Sequence, residues 1–465
     1  MKYSYAKVYT GFMLVMFFGL LLPLIFTKGD YVSGMFIYYL VGIYSVFRLA
    51  TIVLGGKLKL LEVTFFVFVY VFLSMVPLLQ VLHNTFPWIG SYDASQIFFA
   101  GLMIALGLVG YEIGIYKGNQ KVESAIKVKE LKIRLLPLFI FGILSFLVAT
   151  AGLGGISNLF LPRNELTLAI ATNDSTSNLI LNSLLRTPVF IALLYALYTW
   201  VYRKQKGFTK RNATVLLMIL GLFLITAVAS NPISTSRYWV GTIYLSVVFV
   251  VLRWKKMTQS LLIVGMLLLI LVIFPYADVF RNAIEFNVEI ESVSETFTQN
   301  GDFDAFQQFL NVQMYSEANG LTYGKQLLGV ALFWVPRSVW PDKPIGTGAT
   351  TSEFLGYNFT NVSAPLWVEF YINFGLIGIF LLFIVYGWAS AKMQNKFNAA
   401  REARKITFYQ IFVPIFAVYQ IFLLRGDLLS SVSNMAPVVI FTIIGLKLAK
   451  RERKNRRKLV ISRAQ

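Results

Sequence analysis

The sequence contains no cysteine and a single histidine, His83, among its 465 residues. Disulfides and thiolate metal sites are therefore excluded, and a zinc site built from cysteine and histidine is excluded with them. Phosphate-binding P-loops, the GxSxG nucleophile motif and dinucleotide fingerprints are also missing at any useful position. We therefore expect an activity that needs no metal and no cofactor.

Charge is scarce as well, because only 14% of the residues are charged while 57% are hydrophobic and the mean hydropathy is +0.66. This composition is far too apolar for a soluble domain of such length. The formal net charge of +20 raises nucleic acid as a partner, but the lysines and arginines cluster in short segments after alternate hydrophobic runs, where they set membrane topology. The composition predicts a membrane protein and no nucleic-acid partner.

The hydrophobic runs are long enough to cross a bilayer, and about twelve of them predict an all-α polytopic membrane protein. The first run lacks a small-x-small cleavage motif, so we interpret it as a retained helix. Basic loops occupy every second connection, which places them and both termini in the cytoplasm by the positive-inside rule. We predict one integral membrane domain over residues 1–465 in the cytoplasmic membrane. The runs lie near residues 8–26, 32–54, 61–82, 97–116, 135–153, 179–201, 214–230, 238–252, 260–276, 364–386, 407–424 and 429–449.

Two segments differ from this regular plan. Residues 277–363 form a large loop between helices 9 and 10 on the predicted outer side, and loops of this length are usually functional. Between Pro275 and Ser363, ten carboxylates accompany only four cations, which are Arg281, Lys325, Arg337 and Lys343. Residues 450–465 form a basic cytoplasmic tail, for which we favour contact with anionic membrane lipids over contact with nucleic acid.

The stretch FWVPRSVWPDKPIGTG, Phe333 to Gly348, holds Arg337, Asp342 and Lys343 among prolines and tryptophans. Proline fixes the backbone before any ligand arrives. Arginine offers phosphate oxygens a planar fork and lysine a point charge, so the two cations suit a lipid-linked phosphate or pyrophosphate. The alternative is an interfacial tryptophan anchor with snorkelling cations.

Other arginines also fall on the predicted outer side, where the topology rule disfavours them. Arg237, in SNPISTSRYW, either binds an anionic substrate group or bonds to loop carbonyls as a structural residue. Arg425 and Asp427 form a short turn between the last two helices and are expected to pair with one another or with neighbours. Arg425, Arg281 and Arg186, the last in the outer half of helix six, are further candidates for substrate binding.

Glu369 and Asn373 lie four residues apart in APLWVEFYINFGLIG, on one face of helix ten. A carboxylate at the membrane edge is unfavourable unless it is paired or functional. Glu369 could accept the proton of an acceptor hydroxyl while Asn373 orients that group. Glu369 could equally neutralise one of the outer arginines.

Two further pairs of charged residues are candidates for a metal site or a salt bridge. Asp302 and Asp304 have a DxD spacing that can bind a divalent cation, but this spacing often occurs by chance, and we predict no metal here. Arg48 and Glu112 both lie toward the cytoplasmic ends of their helices, and we predict a salt bridge between them.

Three motifs, together with the large loop late in a many-helix chain, suggest a family. They are LTYG (Leu321 to Gly324), VPRSVWPDKP (Val335 to Pro344) and VEFYINFG (Val368 to Gly375). With these features the chain resembles the Wzy-type polymerases of bacterial O-antigen and capsular repeat units. The motifs cover the second half of the chain, and the first half is similar in hydropathy only.

The resemblance implies a glycosyltransferase that joins oligosaccharide repeat units linked to undecaprenyl pyrophosphate on the outer face of the membrane. An acceptor hydroxyl attacks the anomeric carbon of the growing chain, and the lipid pyrophosphate leaves. Arg237, Arg337 and Arg425 are then expected to stabilise the leaving group without a metal, and Glu369 is the candidate base. The resemblance also implies a chain-length regulator and a flippase as partners.

Three alternatives stay open. A flippase for the same lipid-linked sugars would share the helix count, but it would normally lack so long an outer loop and would show repeated halves with broken helices. A ligase that moves finished polymer to another acceptor would share nearly all of the chemistry. A non-catalytic scaffold would not need several arginines on the disfavoured side of the membrane.

Overall fold

The computed structural model describes residues 5–27, 32, 34–120, 134–162, 165–166, 175–202, 210–252, 256–273 and 293–449. The secondary structure within these ranges is helical, and they contain no β-strand. Nine helices in the described ranges are long and apolar enough to span a membrane, and three shorter apolar helices lie in residues 11–27, 237–251 and 259–271. The described part of the chain is therefore helical, and its nine long apolar helices indicate a membrane-embedded protein. The exact number of spans and their orientation stay predictions.

We number the helices in chain order. The first nine are α1 (residues 5–27), α2 (Phe36–Gly55), α3 (Leu60–His83), α4 (Ala94–Gln120), α5 (Leu135–Gly152), α6 (Ser175–Val201), α7 (Lys210–Ala229), α8 (Arg237–Val251) and α9 (Lys256–Leu268). The others are α10 (Val293–Gln299), α11 (Ala305–Asn319), α12 (Lys325–Ala331), α13 (Thr347–Phe354), α14 (Leu366–Glu402), α15 (Phe408–Arg425) and α16 (Leu428–Ala449). We call the end of the bundle with Lys57, Lys117 and Lys392 the basic end, and the end with residues 84–93, 293–363 and 426–427 the loop end.

Helix α3 lies at the centre of the bundle. Its most apolar window is 94% buried, as expected for a helix that is hydrophobic on every face. Phe65 of α3 stacks on Tyr111 of α4 with ring centroids 3.7 Å apart, and on Trp367 of α14 at 5.9 Å. The core therefore forms where α3, α4 and α14 meet.

Helices α4 and α14 pack closely because glycines remove side chains from their interface. A Cβ atom at Gly110 would lie 2.6 Å from the carbonyl oxygen of Phe380, and one at Gly114 would meet the carbonyl oxygen of Ile384. Small residues at four-residue spacing allow such backbone contact between membrane helices. The interface holds α14, and with it the segment that carries Glu369, against the core.

Replacing Gly114 with leucine should therefore separate α4 from α14, because the new side chain would meet backbone rather than a movable side chain. Overpacking of this kind destabilises by about 1–3 kcal/mol or more. We expect a clearly lower midpoint of thermal unfolding in detergent. The control is Gly265→Leu, since a Cβ atom there has nothing within 4 Å; equal midpoints for the two variants would contradict close packing at Gly114.

Helix α14 is two helices that reverse direction at Phe374 and Gly375. Gly375 has φ +62° and ψ −152°, a backbone conformation open to glycine alone. The rings of Trp367 and Phe383 are 4.2 Å apart between centroids, whereas sixteen residues of continuous helix would separate them by about 24 Å. Residues 366–373 therefore fold back along residues 376–383, and Trp367 lies about 12 Å below the turn. The prediction of one continuous span over residues 364–386 is wrong at this point.

Residues 293–319 form a second re-entrant segment. Ser294 contacts His83 at the loop end of α3, with 3.0 Å between Oγ and Nε2, while the ring of Phe303 stacks on Phe72 halfway along α3 at 5.5 Å. Helix α11 then returns toward the loop end, where the Gln313 amide donates to the carbonyl of Gln96. Its first nine residues are buried. The expected long loop is thus largely helical in its described part.

The two re-entrant segments meet at Asp304 and Ser363. The backbone N–H and the hydroxyl of Ser363 donate to the Asp304 carboxylate at 3.1 and 2.5 Å, and the rings of Phe309 and Trp367 lie 6.4 Å apart. Irregular backbone within a membrane bundle is tolerated only where protein or a water-filled cavity surrounds it, and here the two segments and the helices around them enclose it.

The predicted salt bridge between Arg48 and Glu112 is confirmed, with 2.5 Å between Nε and Oε1. Glu62, which the sequence did not single out, joins it at 3.1 Å and also pairs with Lys59 at 2.8 Å. These four charges near the basic end are balanced, so they need no further ligand to account for them.

Candidate functional site

Arg425, at the end of α15, is largely enclosed, with 11% of its side chain exposed, and holds the turn that begins α11. Its Nε donates to the carbonyl of Asp302 at 2.7 Å, and its Nη2 donates to the carbonyl of Gly301 at 2.7 Å and to Asp304 Oδ1 at 3.1 Å. The guanidinium also lies over the ring of Tyr238, 5.5 Å from its centroid. Arg425 pairs with neighbours rather than with Asp427, and its donors already serve the 301–304 turn.

Asp304 is the buried carboxylate of a charged cluster that consists of Arg237, Asp302, Asp304 and Arg425. It is 1% exposed, and besides Arg425 it accepts from the indole N–H of Trp88 at 2.9 Å and from Ser363. One carboxylate therefore joins the 84–93 connection, both re-entrant segments and the end of α15. A charge in such surroundings is stable only because each oxygen has donors.

Arg237 begins α8 and faces the same turn. Its Nη2 lies 2.6 Å from Asp302 Oδ2, and the side chains of Arg237 and Asp302 are 25% and 18% exposed. Asp302 Oδ1 is 3.8 Å from Arg425, so this carboxylate lies between the two arginines. Arg237 and Asp302 are the accessible pair of the cluster, and Arg425 and Asp304 are the buried pair.

The turn before Arg237 is rich in buried hydroxyl groups. Asn231 shapes it, since its side-chain oxygen accepts from the N–H groups of Ile233 and Ser234, both at 3.1 Å. Ser230 and Thr235 are fully or almost fully buried, and within the described part of the chain neither hydroxyl has a hydrogen-bond partner. Unsatisfied buried donors in a native fold call for an explanation.

Glu369 lies on the re-entrant half of α14 and is 1% exposed. Its Oε2 accepts from the hydroxyl of Thr347 at 2.7 Å, and its Oε1 accepts from the backbone N–H of Leu428 at 2.8 Å. Glu369 therefore connects the start of α13 to the start of α16, one turn of chain beyond Arg425. The aspartates of the 301–304 turn, rather than Glu369, pair with the arginines.

Asp427 lies beside Glu369 and caps α16. Its Oδ1 accepts from the N–H groups of Leu429 and Ser430 at 2.9 and 3.2 Å, and its Oδ2 accepts from that of Gly348 at 3.2 Å. Burial raises the pKa of Asp427 above its ordinary value, although these N–H groups oppose the shift.

The raised pKa of Asp427 gives a pH dependence of known sign. The folded state favours the neutral acid, so this contribution to stability is present below the unfolded pKa and is lost as pH rises through the folded value. We expect the unfolding midpoint of the wild type to fall relative to that of Asp427→Asn as pH rises above about 4, the ordinary pKa of an aspartate. Melts in detergent at several pH values measure this difference, and a wild-type midpoint that rises relative to the variant would contradict it.

Asn373 joins residues 322–327 to the re-entrant half of α14. Its side-chain oxygen accepts from the Thr322 hydroxyl at 3.1 Å and from the Leu327 N–H at 3.3 Å, while its amide donates to the Glu369 carbonyl at 2.8 Å. Thr322 N–H also donates to the carbonyl of Ile372 at 2.8 Å. The LTYG and VEFYINFG motifs are therefore in direct contact in the folded chain.

Arg337 and Lys343 lie on the exposed rim of the loop end. Arg337 Nη1 donates to the carbonyl of Lys343 at 2.7 Å, and Lys343 Nζ donates to the carbonyls of Phe333 and Val335 at 2.5 and 3.0 Å. Arg337 and Asp342 are exposed, as is the nearby Trp334. These contacts stabilise the proline-rich turn and leave the Arg337 side chain accessible to solvent or lipid headgroups.

The remaining predicted residues lie elsewhere. Arg186 Nε donates to the carbonyl of Ala229 at 3.1 Å and so caps the end of α7. Arg281 lies outside the described residues, as does the basic tail. The described residues contain no group of three or more histidine, aspartate or glutamate side chains placed to hold a metal ion.

The structure thus brings Arg237, Arg425, Glu369 and Asn373 to the re-entrant region and leaves Arg337, Lys343 and Asp342 on the rim. Sequence reasoning gave Asp302 and Asp304 only a metal-binding alternative and overlooked their arginine partners. It also overlooked Trp88, Ser363 and Thr347, whose types give no signal in a sequence. The uncharged run AFQQFLNVQMYS within an acidic segment was the available sign that residues 305–316 are buried.

Comparisons with protein-family models, with curated proteins and with solved structures found no match to this chain. The function must therefore be argued from the composition, the motifs and the geometry of the site.

Proposed function

We propose that this protein is a membrane glycosyltransferase that polymerises oligosaccharide repeat units carried on undecaprenyl pyrophosphate, at the outer face of the cytoplasmic membrane. The observation that supports the proposal most is the pair of arginines, Arg237 and Arg425, held by carboxylates where two re-entrant segments meet. Ionisable groups within a membrane bundle are unfavourable and mark functional sites by default.

The position of this cluster at the loop end of the bundle suits a lipid-linked substrate. A polyprenyl tail stays in the bilayer while its pyrophosphate lies at the interface, so cations at the end of the bundle can bind the pyrophosphate without extracting the tail. Donors that are fixed before the reaction stabilise the charge that develops on a leaving group without reorganisation. Arg425 keeps the 301–304 turn in place, and Arg237 is the cation that substrate can reach.

Glu369 is the proposed base for the acceptor hydroxyl. Its carboxylate is buried and accepts from the Thr347 hydroxyl, so the first turn of α13 must move aside before the carboxylate meets substrate. Its Oε2, which accepts from the Thr347 hydroxyl, would then accept from the hydroxyl of the acceptor sugar and take its proton. On the rim, Arg337 and Lys343 would contact the pyrophosphate or other headgroups of the approaching lipid.

A transporter of the same lipid-linked sugars is the second candidate, because one specific observation favours it. Helix α14 is broken at Gly375 and its first half is re-entrant, and discontinuous helices are common in transporters. The large helical loop-end segment favours the enzyme.

The test separates these functions in cells that lack the gene and carry plasmid-borne wild type or Glu369→Gln at matched membrane abundance. A polymerase predicts single repeat units on the outer side in the deletion and the variant, and long chains with wild type. Lipid-linked units trapped inside would make the protein a transporter. Long polymer that is merely not attached to its final acceptor would make it a ligase.

A further inference from the structure

The carboxylate of Asp302 has two unusual features for a structural ion pair. It lies between two arginines, at 2.6 Å from Arg237 and 3.8 Å from Arg425, yet its side chain keeps 18% of its surface exposed. Asp304, two residues along, is completely enclosed and shares its oxygens among Arg425, Trp88 and Ser363. Only one of the two aspartates is therefore free to rotate away without breaking the turn.

The backbone of Asp302 would remain in place during such a rotation. Its carbonyl is held by Arg425 Nε, and its N–H donates to the side-chain oxygen of Asn300 at 2.8 Å. Side-chain rotation alone would vacate the position beside Arg237. That position has the charge and the forked geometry that arginine presents to phosphate oxygens.

Spare hydrogen-bond donors lie on the same turn of chain as Arg237. The hydroxyls of Ser230 and Thr235 are buried and, within the described residues, have no hydrogen-bond partner. A carboxylate with two oxygens already shared between arginines does not satisfy them, whereas a phosphate group brings additional acceptors. Ser230 and Thr235 lie within seven residues of Arg237 in the chain, and their unsatisfied hydroxyls favour a ligand with more oxygens than Asp302 provides.

We propose that Asp302 is a resident anion that occupies the phosphate position of the site, and that the substrate pyrophosphate displaces it and takes hydrogen bonds from Arg237, Ser230 and Thr235. This inference rests on the proposed function, since it assigns the pyrophosphate to that site. The pairing keeps Arg237 neutralised and oriented until a phosphate with more favourable contacts arrives. Bound ligand shifts such an equilibrium by its differential affinity for the open position.

The test measures the binding of inorganic pyrophosphate, and of a short-chain polyprenyl pyrophosphate, to the detergent-purified full chain. Asp302→Asn keeps the shape and removes the competing charge, so affinity for both probes should rise by about tenfold, in line with a charged hydrogen bond. Glu353→Gln is the matched control, because it removes an exposed carboxylate of the same segment and should leave affinity within about twofold.

Thr235→Val provides a second variant that does not depend on the aspartate. Its hydroxyl has no partner in the described residues, so a structural role predicts unchanged or higher stability and unchanged binding. The proposed ligand role predicts unchanged folding and about fivefold weaker pyrophosphate binding. If Asp302→Asn does not fold, Asp302→Ser takes its place, and Asp302→Glu, which keeps the anion, should bind as weakly as wild type.

Weaker or unchanged pyrophosphate binding by the Asp302 variants would overturn the inference, because Asp302 would then position Arg237 rather than compete with substrate. Failure of the proposed function is separable from this result. If the wild-type chain makes no polymer but Asp302→Asn binds pyrophosphate more tightly, the phosphate site is supported and the polymerase function is contradicted. If the wild-type chain makes polymer but its Asp302 variants bind pyrophosphate no more tightly, only the role of Asp302 as a displaceable anion is contradicted.

Discussion

Asp304→Asn should destabilise the protein by about 3–5 kcal/mol, the range observed when one partner of a buried ion pair is removed. The substitution would leave the Arg425 guanidinium buried, with Asp302 at 3.8 Å as its nearest remaining carboxylate partner. It would also weaken the contacts of Trp88 and Ser363, which donate to the same carboxylate. Both re-entrant segments should loosen together.

The measurement is thermal unfolding in detergent, with limited proteolysis of residues 293–319 as a local readout. Glu353→Gln is the control of equal charge change, since this residue is exposed and should shift stability by less than about 0.5 kcal/mol. Equal unfolding midpoints and equal protease resistance for Asp304→Asn and wild type would show that Asp304 does not hold the segments together.

Arg237→Ala should lower the rate of polymer formation by about 10²–10³-fold, the effect of removing one preorganised donor from a developing anion. Folding should suffer less than in Asp304→Asn, because Arg237 is partly exposed and Asp302 would become solvated. Arg237→Lys should recover part of the rate, since lysine supplies the charge without the fork.

The assay compares initial rates of polymer formation at matched membrane abundance. Lys325→Ala is the control, because it removes an exposed cation of the loop end that the cluster does not include. A rate loss shared by both variants would indicate a general effect of surface charge, and full activity of Arg237→Ala would return Arg237 to a structural role.

Hydropathy predicted the helices well because bilayer thickness constrains the length of every spanning segment. Each of the described apolar helices falls in a run that composition alone identifies. The pairing of Arg48 with Glu112 was also predictable, because opposite charges at the same depth of neighbouring helices have few other partners.

The reversal at Phe374 and Gly375 could not be predicted from hydropathy. The stretch around it is apolar on both sides, so it reads as one span, and a single glycine within an apolar helix is common. The burial of α11 was equally hidden, because glutamine and asparagine at positions such as Gln307 and Asn311 usually indicate a surface. Here they bond to the Trp88 backbone and the Tyr92 hydroxyl instead.

The residues of the candidate site were predicted only in part, because a sequence shows which residues are charged but not which distant residues they contact. Sequence identifies charges on the disfavoured side of a membrane, which singled out Arg237, Arg425 and Glu369. It does not identify partners that come from distant segments, such as Asp304 for Arg425 or Thr347 for Glu369. Those pairings depend on the two re-entrant segments meeting, which is a property of the packed bundle.

The most direct measurement is polymer formation by the purified full chain reconstituted in liposomes with lipid-linked repeat units as the sole substrate. We expect a ladder of products and release of the polyprenyl pyrophosphate, both strongly reduced in Arg237→Ala. Repeat units that stay single, whether unchanged or moved across the bilayer, would contradict it.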